Sequence, residues 1–168
     1  MAERIAYWLM PEKNAFFQWR QVIDLLADRF GGVRFDPHVT LHIQDRTTEA
    51  EWRPVIDHYE NQPLQLVPAD LMFSGIFTRS CYVQFHRCSE ILRLCGRIKS
   101  LSSRAADDDP DPHMSLYYGT LSETDRQRIQ RLVNLPESIV FSSIRAVLLR
   151  NKVRGPEDVQ AWETIGES

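Results

Sequence analysis

Two short segments carry the residues best suited to chemistry: Pro37-His38-Val39-Thr40-Leu41 and Pro112-His113-Met114-Ser115-Leu116. Each pairs a histidine with a hydroxyl two residues further on. Side chains alternate along a strand, so His38 and Thr40 share one face, as do His113 and Ser115. An imidazole with a pKa of about 6.5 offers both protonation states at neutral pH. Two of them around one cleft can divide a displacement at phosphorus. One takes a proton from the attacking water and the other gives one to the leaving oxygen, while the hydroxyls hold the non-bridging oxygens. A single H-x-T is close to noise. Two copies, each led by proline and followed by leucine, point to function.

The elements needed to position these segments also occur twice. Residues 4–10 read as a buried strand ended by Pro11, and residues 14–30 as an amphipathic helix stopped by Gly31-Gly32. Residues 35–43 alternate as a strand, and Thr48 to Glu51 form a capping box opening a second helix. Strands are expected over 64–73 and 81–85, and Ser89 is expected to cap a helix carrying Ile91, Cys95 and Ile98. An acidic, proline-broken loop, Asp107 to Pro112, leads into a strand over 113–118. A capping box at Ser122 opens a further helix, and 139–149 and 159–165 read as strands around a turn at Gly155-Pro156. An offset of 75 residues lays His38 on His113, Thr40 on Ser115, Leu41 on Leu116 and Tyr7 on Tyr82. That period is too long for a solenoid. It implies two similar lobes facing each other, which would bring the two histidine faces together.

Composition excludes several alternatives. The chain has 168 residues, 43% hydrophobic and 26% charged, with a formal net charge of -3. That fits one folded domain and neither a disordered tail nor a basic nucleic-acid coat. Its apolar runs fall far short of the ~20 residues of a membrane span, and the one near the N-terminus is too short for a signal-peptide core. Arginine supplies 17 of the 20 basic residues. They are scattered, as codon bias would scatter them, and no lysine cluster offers a long electrostatic footprint. Cys81, Cys88 and Cys95 are odd in number and suggest no disulfide framework, so a reducing, cytoplasmic setting is expected. Of the other histidines, His42 falls on the strand face of His38 and Thr40 but beyond the cleft; His58 reads as a solvated residue on the polar side of its helix, and His86, near the end of its strand, is assigned no role.

At the paired histidine segments the sequence resembles the 2H phosphoesterase superfamily, defined by two H-x-T/S motifs. It is most similar to the cyclic phosphodiesterase branch known from plants and fungi. The resemblance rests on Tyr7-Trp8-Leu9-Met10-Pro11, Phe30-Gly31-Gly32, Pro37 to Leu41, and Pro112 to Tyr118, and spans essentially the whole chain. It implies an α+β, duplicated bilobal fold over residues 1–168, with two antiparallel sheets facing across a central cleft and helices outside (LigT-like). It implies hydrolysis of ADP-ribose 1'',2''-cyclic phosphate and of nucleoside 2',3'-cyclic phosphates to 2'-phosphates, without metal or cofactor. His38 and His113 would be catalytic, with His113 favoured as base. Thr40 and Ser115 would bind phosphoryl oxygens, Trp8 would stack on base or ribose, and Tyr118 would close the pocket or bind phosphate. The partner would be a small cyclic phosphate nucleotide, not a long nucleic acid or a membrane, and the protein a monomer. The alternatives are an RNA-end or 2',5'-linkage phosphoesterase of the same superfamily, or a non-catalytic nucleotide-binding module.

Overall fold

The computed structural model describes residues 3–45, 48–102 and 109–168. Strand β1 (Arg4–Pro11) is buried on both faces because alternate side chains go to different clusters. Ile5, Tyr7 and Leu9 join the main core, whereas Ala6, Trp8 and Met10 join a small cluster with Val147 and Leu149. Helix α1 (Lys13–Phe30) packs Trp19, Ile23 and Leu26 inward. It ends where Gly31 turns into the left-handed region at φ 76° and its N–H bonds to the Ala27 carbonyl, a helix stop that glycine makes at little cost. Helix α2 (Glu49–Asp57) opens on the expected capping box at Thr48 and Glu51.

The remaining elements are β2 (Val39–Asp45), β3 (Leu64–Leu66), β4 (Pro68–Phe73), β5 (Cys81–Phe85), α3 (Ser89–Leu101), β6 (His113–Tyr117), α4 (Glu123–Leu132), β7 (Ile139–Leu149), α5 (Pro156–Gln160) and β8 (Glu163–Glu167). All strand pairs are antiparallel, in the order β3-β7-β1-β2-β6-β5-β4, with β8 also on β7. The two halves of this mixed α/β architecture meet at β2 and β6 through one residue pair, Val39 opposite Met114. Both of those side chains are core. The antiparallel sense therefore sets His38 across from Ser115 and Thr40 across from His113, all four on the other face.

Local chemistry corrects the sequence reading in four places. The first histidine strand begins at Val39, not residue 35, because Pro37 has no N–H to give a ladder. Residues 64–73 are two strands, since β3 pairs with β7 while β4 turns to the opposite edge on β5. Cys88, not Ser89, is the N-cap of α3. Residues 159–165 are divided between α5 and β8. Pro156 starts that helix, and the Asp158 carboxylate accepts the N–H groups of Arg154 (2.8 Å) and Gly155 (3.2 Å). Among the described residues no helix is long and apolar enough to cross a membrane.

Candidate active site

His38 stands one residue before β2 and is buried. Its Nδ1 lies 2.7 Å from the main-chain carbonyl of Asp36. A carbonyl only accepts, so Nδ1 carries the hydrogen and Nε2 is left for chemistry. His113, the first residue of β6 and half-buried, repeats the arrangement with the Asp111 carbonyl at 2.8 Å. Each aspartate is anchored in turn. The Asp36 carboxylate pairs with Arg20 and, at 2.7 Å, with Arg145. The Asp111 carboxylate pairs with Arg79 at 2.6 Å and accepts from Gln84 at 2.8 Å.

Both imidazoles line one cavity of about 320 Å³, together with Thr40, Ser115, Trp8 and Tyr118. All six sequence-predicted residues thus meet in one place, in a volume suited to a small ligand. Burial in this cavity holds His38 down to about 4, an effect that the Asp36 carbonyl opposes and the charge of His113 reinforces. The pKa of His113 is lowered as well, by burial first and then by Arg79, against the Asp111 carbonyl and carboxylate. His38 is therefore neutral at pH 7, and the proton the pair retains longest on raising pH is on His113.

The remaining members differ in readiness. Thr40 is half-buried on the cavity wall. The Ser115 hydroxyl donates to the Thr78 carbonyl at 2.8 Å, so it must rotate to donate to a ligand. Tyr118 is buried flat against Phe35, with ring centroids 3.9 Å apart, and burial raises its pKa while a bond to Ser115 opposes that. One face of the Trp8 indole is covered by the His38 ring at 3.7 Å and 12°, and Trp162 meets it edge-on at 5.1 Å. Trp8 accordingly buttresses the histidine.

His42 does not share the catalytic face. The β1–β2 register runs Trp8 opposite Thr40, then Tyr7 opposite His42, so Leu41 is an extra residue. This bulge turns His42 to the side of Tyr7, where Ser102 Oγ lies 3.1 Å from its Nε2. His58 is exposed, as expected, and His86 is exposed as well. The three cysteines are free, and burial pushes the Cys81 thiol up to about 12. Within the acidic loop, Asp107 and Asp108 lie outside the described residues, and Asp109 pairs with Arg87 at 2.9 Å. Sequence reasoning passed over Asp36, Arg79, Arg145 and Trp162, and took Asp111 only as part of the acidic loop. The repeated Asp-Pro-His was readable in the chain. The arginine anchors were not, since Arg145 reaches Asp36 across 109 positions.

No known family's sequence model matches the chain. Over 163 residues, 94% of this chain and 90% of the relative, it is 23% identical to the cyclic phosphodiesterase of Arabidopsis thaliana. Among solved structures it is similar to Escherichia coli LigT complexed with 3'-AMP, with a TM-score of 0.59 and 12% identity over 100% of this chain and 98% of that one. A structure described as a phosphoesterase gives a TM-score of 0.60 and 12% identity over 99% and 97%. LigT complexed with NADP+ gives 0.59 and 14% over 100% and 98%. The paired H-x-T/S segments thus line one cavity of a LigT-like fold, in a chain similar in sequence to a cyclic phosphodiesterase. The similarity to the plant cyclic phosphodiesterase runs along nearly the whole of both chains.

Proposed function

We propose that this single bilobal domain hydrolyses cyclic phosphates on vicinal ribose hydroxyls, using His38 and His113 as a general acid–base pair and no metal. One observation carries the reading. Two imidazoles, each with Nδ1 committed to the carbonyl two residues before it, line one cavity with Thr40 and Ser115 between them. In-line opening of the ring needs a base for water on one side of phosphorus and an acid for the departing ribose oxygen on the other. The hydroxyls of Thr40 and, after rotation, Ser115 would hold the non-bridging oxygens. Either assignment of base and acid to His38 and His113 fits this geometry.

The substrates proposed are nucleoside 2',3'-cyclic phosphates, opened to 2'-phosphates, and ADP-ribose 1'',2''-cyclic phosphate. Incubation of each with the protein in excess EDTA, followed by phosphorus NMR, tests this. The expected outcome is a single monoester from each, at the 2'-position for the nucleoside substrates. Activity abolished by EDTA and restored by a divalent ion would overturn the two-histidine mechanism.

A further inference from the structure

The cavity extends beyond the two histidines. Arg4, Ala6 and Trp8 share the face of β1 that lines it. Trp8 lies on His38, and the Arg4 backbone is about 13 Å further along the strand. Between them the wall is apolar, made by Ala6, Ile43, Leu149 and Val153. At the far end Lys152 joins Arg4.

These two cations differ from most arginines nearby. Arg20, Arg79, Arg145 and Arg150 each hold a carboxylate. Among the described residues the Arg4 and Lys152 side chains form no hydrogen bond or ion pair, and no carboxylate lines the cavity. Asp45 stands opposite Arg4 in the β1–β2 pair, but it lies outside the cavity lining and has an interaction of its own. Glu3 and Glu163 are both engaged by Arg150. The cavity therefore has a reacting end, an apolar middle and a cationic far end.

We propose that Arg4 and Lys152 form an anion subsite for a phosphate on the 5-oxygen of the ribose that carries the cyclic phosphate. This rests on the reading of the site given above and narrows its substrate class. The favoured substrate bears two phosphates on one ribose, the ring at the histidines and the 5-phosphate at the cations, with the sugar on the apolar wall; a terminal 5-phosphate binds better there than the bridging one of ADP-ribose 1'',2''-cyclic phosphate. Arginine supplies a planar fork for phosphate oxygens and lysine a mobile point charge. No bond forms or breaks at this end, so its effect is on binding.

The test compares kcat/KM for adenosine 2',3'-cyclic phosphate, the same compound with a 5'-phosphate, and a dinucleotide ending in a 2',3'-cyclic phosphate. The 5'-phosphorylated mononucleotide is expected to be favoured over the 5'-hydroxyl form by about fivefold to tenfold at low salt. That preference shrinks as ionic strength rises. Arg4→Gln and Lys152→Gln each lower the ratio, and the double variant brings it close to one. Lys152 is exposed, so its single variant tests the idea even if Arg4→Gln fails to fold. No preference in the wild type, or an unchanged preference in the double variant, overturns the subsite. A larger gain for the dinucleotide overturns the terminal-phosphate assignment. Failure to turn over any of the three compounds overturns the reading of the site itself, a result distinct from turnover without preference.

Discussion

His38 and His113 are oriented by the same local device in unlike surroundings. Each follows Asp-Pro, each fixes Nδ1 on the aspartate carbonyl, and each aspartate is held by arginine. Around His38 the environment is aromatic and closed, with Trp8 stacked on it and Phe35 and Trp162 edge-on at 6.4 and 6.2 Å. Around His113 it is more open and polar. Tyr82 meets the ring edge-on at 5.5 Å, and the Arg79 guanidinium sits 4.3 Å above the Tyr82 ring. One device thus supplies the direction of Nε2 in both halves, while burial supplies the difference in proton affinity. An acid and a base built from the same side chain need both.

Removing either imidazole is expected to have the largest effect. His38→Ala and His113→Ala should each lower kcat by about 10²–10⁴-fold on a 2',3'-cyclic nucleotide, and the double variant by much less than the product, since both act in one transition state. Steady-state kinetics of the four proteins check this. The pH profiles of the single variants sharpen it, because losing the base removes the acidic limb and losing the acid removes the alkaline one. Near-wild-type turnover after either change would end the proposed mechanism.

The next effect concerns stability in acid. The pKa of His38 is lowered on folding, so between about pH 6.5 and pH 4 the unfolded chain binds a proton that the folded one does not. Stability is therefore unaffected by His38 above that window, falls through it, and is lower by about 3 kcal/mol beneath it. His38→Gln should flatten this dependence in urea unfolding from pH 7 to pH 4. His113→Gln should flatten it less, because His113 is less strongly shifted and more open. Equal flattening would erase the contrast between the halves.

The arginine anchors come third. Arg145→Met and Arg79→Met should each lower kcat about tenfold with little change in KM, since a loosened aspartate misaims a histidine without removing a substrate contact. Because Arg145 and Arg79 both lower the pKa of their own histidine, each loss should also move one limb of the pH profile toward higher pH. A merely structural role would leave that limb in place. Smallest is the aromatic support: Trp8→Phe should reduce kcat a few-fold and KM hardly at all, while Tyr82→Leu should do less. A Trp8 variant that raises KM alone would return the indole to stacking on substrate.

The sequence made the quartet legible because alternation along a strand is a local rule and the two segments repeat it. Ser122 and Thr48 announced helix starts for the same reason. What stayed hidden depends on partners far along the chain. The bulge at Leu41 that removes His42 from the catalytic face is a matter of register between two strands. The separation of Leu64–Leu66 from Pro68–Phe73 is decided by which neighbour each finds. Trp8 reads as a free aromatic beside a pocket until the ring it covers is known, and Arg145 reads as one scattered arginine among many.

The glycine after the first helix has a reach its position does not suggest. A side-chain carbon at Gly32 would stand 2.4 Å from the Tyr117 ring, whose hydroxyl donates to the Phe30 carbonyl at 2.8 Å. Tyr117 closes the strand that begins with His113. The missing methyl is thus a clearance between the end of α1 and β6, the strand that carries His113. A machinist would call it a tolerance. Filling it with alanine would press on the Tyr117 ring and, through it, on the strand that begins with His113.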